Sequence, residues 1–263
     1  MNIIVITGAS SGIGREFAHT LDRVMGSKID EFWLIARRED RLREVAESLS
    51  HDARVLPMDL TDEEACEALA DELAFAQARV RMLINASGYG ILGSFGAMKM
   101  EDVTGMVRLN AEALTRMTRL MIPFMGRGSR ILQMASSAAF VPQTGFAVYA
   151  ATKAYVLSLS KALGEELRPY GIYVTSVCPG PVKTEFFDLA EAGGTSLRIK
   201  KYFMTTPQQV VQKSLAASYR KAPEVVPTFA MKAFELVCKL LPHGLILRIT
   251  SALARSEQKR SRA

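Results

Sequence analysis

Apolar residues in this chain fall into short unbroken runs, separated by longer stretches in which they recur every three or four positions. The first run is Asn2, Ile3, Ile4, Val5, Ile6, Thr7. A short β-branched run without polar alternation fits a strand buried on both faces. Comparable runs follow at 31–36, 54–58, 80–84, 129–135 and 173–178. Between them the period lengthens to that of a helix: Phe17, Ala18, Leu21 and Val24 share one face. Further helices are predicted at about 39–50, from Thr61 onward, across about 99–124, and through Tyr149 to about Pro169. Asp62, Glu63 and Glu64 would sit in the first turn of the Thr61 helix, where negative charge is favoured. Strands alternating with helices predict an α/β fold, a doubly wound parallel sheet with right-handed crossovers. The expected division is an α/β body over 1–222 and a helical extension over 223–263.

The chemistry-bearing residues follow the strand ends. Gly8, Ala9, Ser10, Ser11, Gly12, Ile13 and Gly14 join the first strand to the first helix. Glycines let a backbone approach a phosphate, and a helix N-terminus points unpaired N–H groups at it, so this turn predicts dinucleotide binding. The second strand ends in Ala36, Arg37, Arg38. An acidic residue there would hold the ribose 2′-hydroxyl of NAD, whereas Arg37 suits a 2′-phosphate. The expected cofactor is therefore NADP(H). The competing reading makes both arginines solvated residues paired with Glu39 and Asp40. Asp59, followed by Leu60, either accepts from the adenine amino group or serves only its turn. Asn85, Ala86, Ser87 and Gly88 end the fourth strand where open sheets bind ligands. Asn110 is a polar residue within a long helix, with either a specific hydrogen-bond partner or partial exposure. Ser136 ends the fifth strand. Tyr149 and Lys153 lie four apart, hence on one helical face, and the cation is expected to lower the phenol's pKa toward a catalytic range. Pro179, Gly180 and Pro181 form a rigid exit from the sixth strand.

Composition narrows the class. At 263 residues, 49% hydrophobic and 23% charged, the chain suits one globular α/β domain. Its three cysteines (Cys66, Cys178, Cys238) and three histidines (His19, His51, His243) are scattered. That argues for a reducing compartment and against a disulfide framework, a metal site or a histidine relay. No basic leader precedes the first strand and no uncharged apolar stretch is long enough to span a bilayer, so a cytoplasmic protein is expected. From Pro223 onward seven Lys/Arg face three Asp/Glu, so most of the net +6 belongs to the end of the chain.

Together, Thr7-Gly8-x-x-x-Gly12-x-Gly14, Asp59, Asn85-Ala86-Ser87-Gly88, Asn110, Ser136, Tyr149-x-x-x-Lys153 and Pro179-Gly180 with Thr184 resemble the short-chain dehydrogenase/reductase family. The resemblance runs from Asn2 to about Ala222, and the spacing from Ser136 to Tyr149 selects Ser136 over Ser137. It implies an oxidoreductase in which Tyr149 is the general acid–base. Lys153 would tune the phenol and hold the nicotinamide ribose, Ser136 would bind the substrate oxygen, and Asn110 would hold a relay water. Pro179, Gly180, Val182 and Thr184 would border the nicotinamide. Two departures stand out. Ala86-Ser87 replaces the family's usual asparagine–alanine, and Ser11 stands where NADP users often carry a basic residue, leaving the 2′-phosphate to Arg37 with help from Arg38 or Ser10. The resemblance also implies a homodimer or homotetramer built on the Asn110 and Tyr149 helices.

The segment after Thr184 is rich in apolar residues: Phe186, Phe187, Leu189, Leu197, Phe203 and Met204, with Gly193-Gly194 as an expected hinge. With Tyr89, Ile91, Leu92 and Phe95 opposite, and Phe140, Val141 and Phe146 near the carbonyl, it predicts a hydrophobic ketone or its alcohol: 3-oxoacyl, long-chain or polycyclic. In the extension, Phe229, Ala233, Leu236 and Leu240 share one helical face and Lys232, Glu235, Lys239 and His243 the other. Leu245, Ile249 and Leu253 then oppose Arg248 and Arg255. Such helices fit docking on the body or a sister subunit, or peripheral contact with the inner membrane surface through 223–263. No nucleic-acid module is visible, so nucleic acid is not an expected partner. The rival to an enzyme is a non-catalytic NADP-binding regulator or scaffold.

Overall fold

The computed structural model describes residues 1–191, 203–248 and 251. Among them, seven parallel strands form one sheet in the order β3-β2-β1-β4-β5-β6-β7. The strands are β1 (Asn2–Thr7), β2 (Glu31–Ala36), β3 (Asp52–Pro57), β4 (Arg79–Asn85), β5 (Arg130–Met134), β6 (Tyr173–Val177) and β7 (Glu224–Val225). The order reverses between β1 and β4, the switch point at which open sheets bind ligands. Six strands are where the apolar runs predict them. β7 is the addition: two half-buried residues beyond position 222 pair with Ser176 and Val177, too short a run to carry a pattern.

Alternate side chains along each central strand enter opposite layers. Ile4, Ile6, Phe32 and Leu34 pack beneath α1 (Gly12–Met25), α2 (Glu39–Glu47) and α8 (Pro207–Tyr219) through Phe17, Leu21, Leu42, Val45, Val210 and Val211. Ile3, Val5, Trp33 and Ile35 face α3 (Glu63–Phe75), α5 (Leu114–Met121) and α6 (Ala147–Leu167) through Leu69, Leu73, Met117, Met121 and Leu167. Burial on both faces explains why the strands read as unalternating runs.

One predicted boundary shifts and two other helices differ in type or in buried face, each for an identifiable reason. The third helix starts at Glu63, because Asp62 caps it by accepting from the Glu64 N–H at 3.0 Å. The helix expected over 99–124 runs unbroken from Met100 to Phe124 but changes type along its length. It comprises α4 (Met100–Val107), a π turn (Arg108–Ala113), α5 and a 3₁₀ turn (Ile122–Phe124). The π turn widens the backbone at Asn110, whose side chain is 0% exposed. After α7 (Phe186–Ala190) and α8, the last long helix is α9 (Phe229–Leu240), and it docks on the body by an unexpected face. Met231 and Cys238 are buried, and Phe234 tilts against Phe140 with centroids 6.5 Å apart. Met231 lies so close over Gly180 that a Cβ there would meet its Cγ at 2.7 Å. The face predicted to be the apolar docking surface, with Phe229, Leu236 and Leu240, points outward. Both faces carry apolar residues, so helical period alone could not choose between them. Residues 243–248 are helical, with Ile246 packed near Val141 and Cys238. Ile249, Leu253 and Arg255 lie outside the described residues.

Candidate active site

A cavity of about 1170 Å³ opens at the C-terminal ends of the central strands. Its dinucleotide-like end is the turn between β1 and α1. Gly8 has φ +66°, and a Cβ on it would lie 2.9 Å from the Ala86 backbone; one on Gly14 would strike the Gly8 carbonyl at 2.3 Å. The turn is therefore pressed against the end of β4. Thr7 completes the join, its Oγ1 accepting from the N–H groups of Ala86 (3.1 Å) and Ser87 (3.2 Å). Ser11 stands at the N-cap of α1 without a side-chain capping bond. The first-turn N–H groups of Gly12, Ile13 and Gly14 thus remain available to an anion. Thr184 closes the cradle from the other side, 3.2 Å from where a Gly12 Cβ would stand. Bare glycines, orphan helix N–H groups and flanking arginines together suit the phosphates of a dinucleotide.

Arg37 and Arg38 both border this end. Arg37 is 72% exposed and sits 3.9 Å from Asp59 Oδ2. Arg38 donates to Ser10 Oγ at 3.3 Å and pairs with Glu185 at 3.0 Å. Glu185 also holds Arg41, which sequence reasoning missed, and the two guanidinium groups keep its carboxyl below the usual range. Glu39, the alternative partner for these arginines, pairs instead with Arg43. Asp59 serves its turn through Oδ1, which accepts from the Thr61 N–H (2.9 Å) and hydroxyl (2.8 Å), while Oδ2 faces Arg37. Leu60 forms the floor, and Ala86, Ser87 and Gly88 line the crevice. Asn85 does not. Its amide is buried away from the cavity and donates to Thr118 Oγ1 (3.0 Å) and Gln133 Oε1 (2.9 Å), because the last residue of β4 alternates into the α5 layer. Its expected place among cofactor contacts is corrected to a structural one.

Ser136, Tyr149 and Lys153 converge in the middle of the cavity, all nearly buried. The Tyr149 ring stacks on Phe146 with centroids 4.3 Å apart and tilts against Phe186 at 5.4 Å. Lys153 Nζ is 5.6 Å from the Tyr149 ring centroid and donates to the Met134 carbonyl at 2.7 Å. Burial pushes the Tyr149 phenol up to about 12, opposed by the Ser136 hydroxyl. The same desolvation brings Lys153 down to about 8. The expected lowering of the phenol by its neighbouring cation is thus reversed in the protein itself, where taking both groups out of water is the larger effect.

Asn110 reaches this cluster from behind. Its Oδ1 accepts from the Tyr89 N–H (3.0 Å), and its Nδ2 donates to the Tyr89 carbonyl (2.8 Å) and to Thr152 Oγ1 (3.2 Å). Thr152 in turn donates to the Tyr149 carbonyl at 2.8 Å. The amide expected to hold a relay water is engaged with protein atoms at both ends. It ties the β4 exit to α6, and Thr152 is a link that sequence spacing did not single out. A Cβ on Gly88 would meet Asn110 Oδ1 at 2.9 Å and Lys153 Nζ at 3.3 Å, so this glycine survives the Ala86-Ser87 departure for a packing reason.

Pro179, Gly180, Val182 and Thr184 form the far wall, held by the Ser137 N–H donating to the Pro179 carbonyl (2.8 Å) and by a backbone bridge from Val182 to Thr205. The remaining volume is mostly apolar, with Gln143 and Thr144 among its polar lining. Phe146, Val141, Phe186, Phe187, Leu189 and Phe203 line it as expected. Ile91 and Leu92 instead pack around Phe146 and Tyr149 from outside the cavity, Phe95 is exposed, and Phe140 supports α9. Ala230, Met231 and Phe234 of α9 complete the wall. Nothing local in the sequence marks them, since only the docking direction of α9 brings them there. Leu197 and the Gly193-Gly194 hinge lie outside the described residues.

A family profile described as short chain dehydrogenase matches residues 2–193. A sulfoacetaldehyde reductase from Chromohalobacter salexigens is 35% identical over 214 residues, 79% of this chain and 83% of that protein. A short-chain dehydrogenase from Sphingobium yanoikuyae, solved with NADPH, is 30% identical and superposes with a TM-score of 0.76, covering 90% of this chain and 92% of that one. A bulky-bulky ketone specific alcohol dehydrogenase from Comamonas testosteroni is 25% identical with a TM-score of 0.70, covering 92% and 95%.

Proposed function

The chain belongs to the short-chain dehydrogenase family, as an oxidoreductase acting on a carbonyl/alcohol pair with a nicotinamide dinucleotide, and on that premise we propose that it uses NADP(H) on an apolar ketone or the corresponding secondary alcohol. The observation that carries the substrate class is the lining beyond Tyr149. Phe146, Phe186, Phe187, Phe203, Met231 and Phe234 close it, and apart from Lys153 the charged lining side chains among the described residues (Arg37, Arg38, Asp59, Glu185) belong to the dinucleotide end.

The dinucleotide, when bound, supplies or takes up the hydride. In reduction, Tyr149 gives its phenolic proton to the carbonyl oxygen, and a phenol held near 12 keeps that proton throughout the neutral range. Ser136 donates to the same oxygen and stabilises the charge that develops there. Lys153 keeps its ammonium 5.6 Å from the Tyr149 ring centroid and would hold the ribose hydroxyls of the bound dinucleotide. Asn110 and Thr152 act as positioning residues, fixing α6 against the β4 exit. Arg37, Arg38 and Ser10 support NADP(H) over NAD(H) by offering two guanidinium groups and a hydroxyl to a 2′-phosphate. A pure binding module has no need of the buried phenol–ammonium pair, which leaves the regulator reading without support.

One observation favours a second substrate class. The Chromohalobacter relative is named for a small anionic aldehyde. Arg198, Lys200 and Lys201, outside the described residues, are cations in the sequence that a sulfonate could use. NADPH oxidation against medium-chain and polycyclic ketones, 3-oxoacyl thioesters and sulfoacetaldehyde, with NADH in parallel, separates the readings. The account expects highest kcat/KM on the apolar ketones with NADPH, and a marked loss of that cofactor preference in Arg37→Ala/Arg38→Ala. A clear preference for sulfoacetaldehyde would overturn the substrate class, and equal use of NADH by the native chain would overturn the cofactor assignment.

A further inference from the structure

The side of α9 that does not touch the body is a continuous apolar ridge. Phe229 (87% exposed), Leu236 (57%), Val237 (45%) and Leu240 (73%) repeat at helical spacing, and Leu241 and Leu245 prolong it beyond the helix. Isolated exposed apolar side chains are ordinary, but a contiguous row on an otherwise docked helix marks an interaction surface. The row is flanked by exposed Lys232 and by Lys239, which pairs with Glu235, and Arg248 follows it. The sequence then runs on through Arg255, Lys259, Arg260 and Arg262 with only Glu257 opposing them.

We propose that this ridge docks the protein on an anionic phospholipid surface, with Phe229, Leu236 and Leu240 entering the interface and the flanking cations meeting the head groups. Charge complementarity favours this occupant, since an apolar row bordered by cations matches the boundary between head groups and acyl chains. A membrane needs no matching partner patch, because each side chain partitions on its own. The inner face of the same helix lines the cavity through Met231 and Phe234, so docking would set the cavity beside the bilayer. Among the described residues no helix is long and apolar enough to cross a membrane, so the contact is peripheral.

The test needs no catalysis and therefore stands apart from the substrate reading. The full chain is floated with phosphatidylcholine vesicles, with and without phosphatidylglycerol, at low and high salt. Phe229→Asp/Leu240→Asp and the milder Leu236→Ser/Leu240→Ser are compared with it. Light scattering reports oligomer size, and NADPH binding reports folding. Both variants alter exposed positions and should bind NADPH as the parent does. The expected result is flotation only with phosphatidylglycerol, weakened by salt and reduced about tenfold or more in the variants, with oligomer size unchanged. Absence of flotation by the parent, or equal flotation of parent and variants, would overturn the proposal. A smaller oligomer in the variants would also overturn it, by assigning the ridge to a second copy of the chain.

Discussion

The Lys153 ammonium is 4% exposed and donates to the Met134 carbonyl, while its ordinary competitor, water, is largely excluded. Burial lowers it from 10.5 to about 8, a direct consequence of placing a charge where solvent cannot reach. Two pH effects follow at this residue. The unfolded chain binds a proton here up to about pH 10.5 and the folded chain only up to about 8. This group therefore costs stability below pH 8 and stops doing so as pH rises through that window. Activity moves the other way. Reduction needs the ammonium, while the Tyr149 proton stays in place to about 12. With saturating NADPH, kcat/KM for carbonyl reduction is expected to fall above an apparent pKa near 8, measured by steady-state rates across pH. A limb no lower than 10 would show that the charge on Lys153 is not what the profile reports. The residue types at this site were legible in the sequence, and so was their grouping. The direction of the phenol's shift was not, because spacing gives the distance to a neighbouring charge and says nothing of how much water both groups lose.

At the scale of elements, the sheet was legible because strands buried on both faces must be apolar at every position, as Ile3 to Ile6 and Phe32 to Ile35 are. What escaped is what depends on packing between elements. The π turn at Asn110 is set by the Tyr89 backbone it grips, the inward face of α9 by the gap over Gly180, and the orientation of Asn85 by Thr118 and Gln133. The join between β1 and β4 offers a test of such couplings. Thr7 Oγ1 is buried and accepts from two backbone N–H groups at the β4 exit. Thr7→Val keeps shape and removes the acceptor, leaving both donors unpaired. It is expected to lower stability by about 1–3 kcal/mol in urea melts and to raise the KM for NADPH, with Thr7→Ser restoring most of both. Unchanged melts in Thr7→Val would mean that the hydroxyl does not organise this turn.

Taken as a whole molecule, the chain places a phosphate cradle, an acid–base cluster and an apolar chamber along one cavity at the switch point of its sheet. The cradle comes from loops at strand ends, the cluster from Ser136 past β5 and one face of α6, and both could be read from motif spacing. The third borrows Ala230, Met231 and Phe234 from a helix that starts 45 residues after Thr184, the last motif position, and only the folded arrangement reveals it. Proton transfer through Tyr149 is the claim on which the functional account turns. Its most direct measurement is single-turnover oxidation of bound NADPH by the best apolar ketone, in the native chain and in Tyr149→Phe, with NADPH affinity measured alongside. The account predicts NADPH affinity within a few-fold of native and a transfer rate lower by about 10²–10⁴. Native-rate transfer in Tyr149→Phe would contradict it, because the carbonyl oxygen would then be drawing its proton from somewhere else.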